Sequence, residues 1–571
     1  MQIHEYVKQG DIAGVAHQLA NGVDVDAVEQ YSWQTPLMCA VTSVDADIDM
    51  VRFLVGNGAD VNAVGGEFHQ DTVLSLAVQS GNLDKIRFLL DAGSNIHYKR
   101  PHGYDALIDA MHGRDISKDK NLIPILELLI ERGAQVSGVS SYGESALRVA
   151  SRVGRFDAVK VLLAAGAEPT LLEWTELMHE ITLGSLDGVK ALLDKGADLC
   201  ARDYWDRTPW LLSLHVGDLE KAKLLLQSGA DRSARGRCGK VPLMYSIEHN
   251  RADILEWLIE EGFDIEATDD FDTTPLMVAA ECDATDCVDI LLRNGANPSR
   301  VNNAGGAAIT IASNIQIVRM LIQAGENLSD ISDEARQLLL GVGRHELQVS
   351  HEQYLAGKYR RFGKTNPELM EVDFWKAMVR CGTSAYAARA TFEDTNYTDY
   401  PDEPVWCYQR FGRTITELPD GRIVEIAGEH EDYYDPDFCI YNDVVVHQGD
   451  GTFKIFGYPN EIFPPTDFHT ATLVGNHIYI IGNLGYRDER IYNETPVYRL
   501  DCDTFRIEKI EIDGDKPGWL SRHKAYYKEP DKIYVTGDKI AILMSDKEEY
   551  IENLGDYTLD LMNLRWSRLD A

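Results

Sequence analysis

Positive charge is scarce in this sequence. Lys and Arg number 55 against 92 Asp and Glu, a formal net charge of −37. That balance argues against non-specific binding to nucleic acid or to anionic membranes, which are themselves negative. A cysteine framework is also missing. The nine cysteines stand at 39, 200, 238, 282, 287, 381, 407, 439 and 502, with no CxxC pair and only Cys282 and Cys287 in a lone CxxxxC. This spacing suits neither zinc nor a disulfide scaffold, and most of the cysteines read as small buried hydrophobes. No apolar run reaches the ~18 residues of a membrane span. The start, Met1-Gln2-Ile3-His4-Glu5, has no basic stretch leading into an apolar one. A cytoplasmic, reducing home is the expectation.

Intact catalytic motifs are absent too. There is no nucleophile elbow, HExxH, dinucleotide fingerprint or paired metal motif. Gly138-Val139-Ser140-Ser141-Tyr142-Gly143 misses the elbow by one residue. The stretch Gly357 to Thr365 (GKYRRFGKT) imitates a phosphate loop, but five residues separate its glycines instead of four and no strand precedes it. It reads instead as an internal electrostatic contact. The expectation is a protein that is not an enzyme and carries no cofactor and no metal.

What the chain does have is apolar material: 44% of its 571 residues are hydrophobic and 9% aromatic. That excludes a disordered acidic tail. The acidity has two peaks. Residues 251–300 hold 13 acids against 3 bases, and 401–450 hold 12 against 3. These are solubilising faces or surfaces that attract a basic partner.

Self-similarity dominates the first 340 residues. A glycine closes a leucine-rich run in NGVDVDA (21–27), NGADVNA (57–63), KGADLCA (195–201), SGADRSA (228–234), EGFDIEA (261–267) and NGANPSR (294–300). With looser copies, the glycines fall at 22, 58, 93, 133, 166, 196, 229, 262, 295 and 325. A second marker follows each: TPL at 35–37, TVL at 72–74, DAL at 105–107, SAL at 145–147, TEL at 175–177, TPW at 208–210, VPL at 241–243 and TPL at 274–276. Thr or its equivalent serves as helix N-cap, Pro fits the first helical position, and Gly at C′ ends the second helix.

This pattern resembles the ankyrin repeat family over residues 1–340, with nine full repeats and an abbreviated N-terminal cap around Gln9-Gly10-Asp11. The resemblance implies an α-solenoid whose hairpin tips and inner helices bind proteins. Departures from the period place an insertion at 112–121 and remove a finger near 167–177. The tips carry Tyr31, Trp33, Phe68, Tyr104, Tyr142, Tyr204, Trp205, Asp206 and the run Asp269, Asp270, Phe271, Asp272. Exposed aromatics suit interface hot spots, whereas tips that fold back would cover the neighbouring hairpin.

Residues 341–404 read as a helical connector. Asn366-Pro367-Glu368 has the form of a helix start. Met370, Phe374, Trp375, Met378 and Val379 make an apolar stripe suited to packing. From 405 to 571 the pattern turns to short strands. FGRTITELPDGRIVEIAG (411–428), FHTATLVGNHIYIIGN (468–483) and SRHKAYYKEPDKIYVTGD (521–538) align, with Arg413, His469 and His523 equivalent and Gly428, Gly482 and Gly537 equivalent. The units resemble kelch repeats, the four-stranded blades of β-propellers, about three in number. The resemblance implies structural roles for His469 and His523. Three blades leave edges open, to be covered by the connector, by the solenoid or by self-association. The acidic segment 428–443, with Glu429, Glu431, Asp432, Asp435 and Asp437, reads as a solvated or partner-binding loop and lacks the spacing of a Ca²⁺ loop.

The fold class is thus an ankyrin α-solenoid followed by an all-β kelch-like domain. The expected function is a non-catalytic scaffold that clamps or neutralises a basic protein partner, in the manner of an immunity-type inhibitor, with no direct nucleic-acid or membrane contact. The alternatives are an adaptor linking substrates to a separate enzyme, and an enzyme with its site in the C-terminal β domain.

Overall fold

The computed structural model describes residues 3–29, 32–66, 70–113, 116–343, 347–394, 404–432, 435–528, 531–537, 539–544, 547–552 and 555–569. Side chains are left undescribed at 431–432, 435–437, 539, 541–544, 547–548, 550 and 552. The chain forms two compact units: residues 1–296 with 302–304, and residues 297–301 with 305–571. Compactness therefore groups the last repeat with the β-rich region.

The first unit is a stack of helix pairs. Its first helices span Pro36–Thr42, Val73–Ser80, Ala106–Ala110, Ala146–Arg152, Glu176–Leu183, Pro209–Val216, Pro242–Ile247 and Pro275–Glu281. Each starts where a marker predicts. Thr35, Thr72, Asp105, Ser145, Thr175, Thr208 and Thr274 all accept a backbone N–H from the first turn. Val241, with no hydroxyl, leaves its helix without a side-chain cap. The second helices end at the repeat glycines, all in the left-handed region, as at Gly58 (φ 97°) and Gly295 (φ 89°). The first helix of the N-terminal cap is described over Ile3–Lys8. The inserted segment lies between Ala106–Ala110 and Leu122–Glu131, and a 3-10 turn, Pro169–Leu172, replaces the missing finger.

Leucines, valines and alanines of both helix rows fuse into one core running from Ile3 to Leu172. Cations bind successive repeats across it. Lys85 Nζ donates to the carbonyls of Ala40 (2.8 Å) and Ser43 (3.0 Å). Lys221 Nζ does the same for Ile181 (2.8 Å) and Gly184 (2.9 Å). The last carbonyls of a helix lack partners of their own, and a positive charge there also meets the negative end of the helix dipole.

The second unit holds the last helix pair, Ala308–Ile311 and Ile315–Gln323, then three sheets each built on a four-stranded antiparallel meander, the first extended by 368–369 and the third by 513–514, which runs parallel to 565–566, and a separate three-stranded sheet of 519–521, 539–544 and 547–552. The first sheet is 414–417, 423–426, 444–447 and 453–457; the second 470–474, 477–481, 497–501 and 507–509; the third 524–528, 532–536, 556–560 and 565–569. Apolar faces of the first and second sheets share one core, and those of the second and third share another. At the head of each sheet the equivalent histidines link neighbours. His469 Nε2 shares a 2.9 Å hydrogen bond with the Thr414 hydroxyl, and His523 Nε2 shares one of 2.9 Å with Thr470. The structural reading of both histidines follows from this geometry.

Two expectations are corrected. Asn366-Pro367 is a cis bond and starts no helix; Glu368–Leu369 pairs with Phe456 and Gly457 on the outer edge of the first sheet, and the helix begins at Asp373. An unpaired edge offers hydrogen-bonding groups that a strand satisfies and a helix cannot. Segment 428–443 is not a plain loop, for 429–432 and 435–440 pair as a hairpin. The apolar stripe Met370, Phe374, Trp375, Met378 and Val379 is buried as expected, with Trp375 stacked on Trp406 at 4.9 Å. The GKYRRFGKT stretch is consumed by internal contacts: Lys358 to Asp394 at 2.7 Å and Arg361 to Glu368 at 3.0 Å.

Replacing Thr208 by Val removes a cap and should cost about 1 kcal/mol, whereas Val241→Thr supplies one and should gain about 0.5 kcal/mol. Urea-unfolding midpoints followed by circular dichroism check both. A second prediction concerns acid. Burial pushes His469 and His523 down to about 3. Their folded pKa lies below the unfolded value near 6.5, so their contribution is complete above pH ~6.5 and is lost as pH falls toward 3. The unfolding midpoint should drop between pH 7.5 and 5, and the double change His469→Asn, His523→Asn should flatten that drop. An unchanged slope in the double variant refutes the assignment.

Candidate protein-binding fingers

The fingers are the turns between one helix pair and the next. Backbone hydrogen bonds tie several of them to a neighbouring repeat. The N–H of Ser141 donates to His102 O (2.7 Å), Tyr204 to Leu172 O (3.1 Å), Arg237 to Trp205 O (3.2 Å), Asp270 to Cys238 O (3.0 Å) and Asn303 to Phe271 O (3.0 Å). Arginines one repeat apart add a second row: Arg202 Nη1 donates to Arg235 O at 2.8 Å, and Arg235 Nη1 to Thr268 O at 2.7 Å. Backbone groups at the tips are thereby satisfied within the array, and the side chains are left to face outward or back.

Tyr204 and Trp205 face back. Arg148 lies 3.6 Å over the Tyr204 ring, and Arg237 stands 5.1 Å and 4.9 Å from the Tyr204 and Trp205 rings. The Trp205 indole N–H donates to Arg148 O at 3.0 Å. A buried network fixes this turn. Asp203 Oδ1 accepts the N–H groups of Trp205 (3.0 Å) and Arg207 (2.9 Å), and Asp203 Oδ2 accepts Arg207 Nε at 2.8 Å. Arg207 also donates to Ser151 O at 2.8 Å and to His215 Nδ1 at 2.7 Å. A guanidinium only donates, so His215 Nδ1 is unprotonated and its proton sits on Nε2, facing Glu248 Oε2 at 3.2 Å. Burial pushes His215 down to about 3. Burial alone would raise Glu248, but Lys240 and His215 hold it at about 2. Asp206 pairs with Arg237 at 3.3 Å.

The other expected tips divide. Tyr31 and Phe68 lie outside the described residues. Tyr104 is half-buried, its hydroxyl donating to Glu144 at 2.8 Å. Trp33 (52% exposed), Tyr142 (65%) and Phe271 (56%) present their rings to solvent. Tyr142 rests against His102 at 4.9 Å. At the acidic tip, Asp269 Oδ1 turns inward to accept the N–H groups of Phe271 and Thr273, both at 2.9 Å, while Asp270 and Asp272 stay exposed. Asp269 is thus the turn's own cap, and Phe271, Asp270 and Asp272 are what the tip offers.

In the second unit Glu429 is buried, with its main chain bridging Phe411, so it is not part of an exposed acidic surface. Its alternating strand position turns the side chain inward. The side chains of Glu431, Asp432, Asp435 and Asp437 lie outside the described residues. Among the described residues no cluster of His, Cys, Asp and Glu could hold a metal, and no helix is long and apolar enough to cross a membrane. The arginines that position the fingers, Arg148, Arg207 and Arg237, were not singled out in the sequence. Their only signal was a basic residue inside or just after a finger of an acidic chain.

The geometry agrees with the comparisons. A family profile described as "Ankyrin repeats (3 copies)" matches residues 3–100, 177–269 and 243–332. The N-terminal region carries ankyrin repeats. Similar curated proteins include Palmitoyltransferase AKR1 of Lachancea kluyveri, 27% identical over 206 residues, or 34% of this chain and 26% of the relative. Another is the human Ankyrin repeat and SOCS box protein 6, 28% identical over 31% of this chain and 47% of the relative. The putative ankyrin repeat protein L86 of Acanthamoeba polyphaga mimivirus is 24% identical over 32% of this chain and 28% of the relative. The chain spans no more than about half the length of these relatives. Ankyrin repeats are protein-interaction scaffolds.

The two kinds of tip should respond differently to truncation. Trp205→Ala removes packing, a hydrogen bond and two cation–π contacts, and should cost about 2 kcal/mol of stability. Phe271→Ala touches an exposed ring and should stay within about 0.5 kcal/mol. Urea unfolding of the two variants checks the contrast.

Proposed function

We propose that this protein is a non-catalytic scaffold that clamps and neutralises a basic protein, as immunity-type inhibitors do, in the cytoplasm. The observation that carries the reading is the tip at 269–272: an exposed Phe271 between two exposed carboxylates, on a backbone tied down on both sides. An aromatic anchor supplies buried area, and flanking negative charge speeds encounter with a cationic surface and disfavours acidic partners. Trp33 and Tyr142 provide two further anchors of the same kind. The three meanders of the second unit, with their repeated His–Thr links, support a kelch-type domain. Self-association through sheet edges is part of the same proposal.

An adaptor that links substrates to a separate enzyme is the second reading. It is favoured by the similarity to a protein named for a SOCS box as well as for ankyrin repeats. An enzyme with its site in the C-terminal β domain is a third reading; no intact catalytic motif favours it.

Native co-purification with mass spectrometry should return one dominant basic partner. Affinity for it should fall about tenfold or more with Phe271→Ala, and likewise with Asp270→Lys, and should weaken as salt rises. Partners that are acidic or neutral, bound independently of salt and unaffected by both changes, would overturn the reading. Several partners of mixed charge, one of them an enzyme, favour the adaptor.

A further inference from the structure

Within the second unit, a cavity of about 410 Å³ opens beside the first sheet, a volume in the range of small-ligand sites. Arg336, Arg410 and Arg413 line it, with Ser329, Ser384 and Asp333. Three guanidiniums around one cavity are conspicuous in a chain of net charge −37.

Their donors are not equally used. Arg410 is committed: its Nε donates to Cys407 O at 2.7 Å, both its terminal nitrogens go to Asp443, and its plane covers Tyr441 at 3.6 Å. Arg336 is 3% exposed and donates from Nε and Nη2 to Asp333 Oδ1 at 3.3 Å and 3.1 Å. Its Nη1 is buried without a hydrogen bond, the nearest carboxylate oxygen, Glu425 Oε1, standing at 3.6 Å. Arg413 donates from Nη1 to Tyr408 O at 2.9 Å, but its Nε is 3.7 Å from Glu425 Oε1 and its Nη2 is 3.9 Å from Asp333. Glu425 Oε1 stands within ion-pair distance of both arginines but hydrogen-bonds to neither. Its other oxygen is held by His447 Nε2 at 2.8 Å and by the Tyr408 hydroxyl. Arg336 and Arg413 thus both line the cavity with guanidiniums that are incompletely hydrogen-bonded, and a buried donor such as Arg336 Nη1 is costly without an acceptor.

Two hydroxyls complete the set. Ser329 Oγ accepts the Ile415 N–H at 2.9 Å, and Ser384 Oγ accepts the Ala387 N–H at 3.2 Å. Each oxygen already accepts, so each hydroxyl proton is free to donate into the cavity. Guanidiniums exclude a cation. Four donor groups of two kinds, spread around a volume larger than one ion, fit a tetrahedral oxyanion with organic substituent better than a planar carboxylate. We propose that this cavity binds a phosphate group, free or carried as the monoester of a small molecule, through Arg336, Arg413, Ser329 and Ser384. Asp333 is the internal competitor. Its side chain is largely exposed and occupies one edge of the Arg336 fork, so the phosphate displaces it or works against its charge.

Titration calorimetry on the full chain tests this with inorganic phosphate, phosphoserine and acetate, at ionic strength held constant with chloride. Saturable binding of phosphate or phosphoserine is expected. Tighter phosphoserine identifies an organic monoester as the ligand; equal or tighter phosphate identifies the free ion. Arg413→Gln should weaken binding about tenfold or more. Ser384→Asp keeps a helix cap but adds a negative charge, and should abolish binding. Asp333→Asn should strengthen it by about threefold or more. The last two changes leave the buried arginines in place, so they remain decisive if Arg413→Gln fails to fold. The proposal is overturned by binding no stronger than that of chloride, by acetate binding as tightly as phosphate, or by affinity that Ser384→Asp does not change.

Discussion

Backbone hydrogen bonds that run from the tip of one finger to the next, continuous from residue 204 to residue 303, set what the later ankyrin repeats can present. A finger is a reversal of chain with no regular partner, and its N–H and C=O groups would otherwise need water or a ligand. The bonds from Arg237 to Trp205, from Asp270 to Cys238 and from Asn303 to Phe271 satisfy one donor and one acceptor at each step. They also fix the spacing at which successive side chains emerge. A ring on such a tip loses little further freedom when it is buried by a partner, because the backbone beneath it is already ordered.

The same ladder decides which rings are spent internally. Where arginines lie about two repeats before and one repeat after a tip, as Arg148 and Arg237 do around residues 204 and 205, the aromatic faces are taken by cation–π contacts. At residue 271 no such clamp is found among the described residues, and Phe271 points to solvent with Asp270 and Asp272 beside it. Aromatic content at the tips is therefore not a measure of binding surface; the residues that preceding and following repeats place against it are.

That distinction explains how far the sequence could be read. The helix starts at Thr35, Thr72, Thr208 and Thr274 and the closing glycines were legible because caps and left-handed turns are local, one-residue requirements. The missing finger near residue 170 was legible as a change of period. The first-sheet strand at Glu368–Leu369 was not, because its formation depends on an edge almost ninety residues away, at Phe456 and Gly457. Nor was the inward turn of Glu429, where a strand's alternation overrides the acidic character of its neighbours. The Arg207 network was hidden for a similar reason: Ser151 and His215 come from different repeats and mean nothing singly.

The charge of the chain also takes on a different meaning in three dimensions. Many of its cations are not spread on the surface to offset the acids. Lys85, Lys221, Arg202 and Arg235 reach carbonyl oxygens between repeats, and Arg207 is buried against Asp203. A carbonyl carries no net charge, so these contacts tie repeats together without using up carboxylates, with Lys85 and Lys221 buried and Arg202 and Arg235 exposed. The carboxylates outnumber the cations from the start and, at tips such as 269–272, remain at the water boundary. Solvent screens a charge held between repeats less effectively than it hydrates one outside, but a partner approaching a finger meets the outer layer first. The arginines that order the fingers share that layer: Arg202 and Arg235 are exposed, and Arg235 sits on Thr268 O at the base of the acidic tip, so the negative face at Phe271 is bounded by a cation on the side of the preceding repeat.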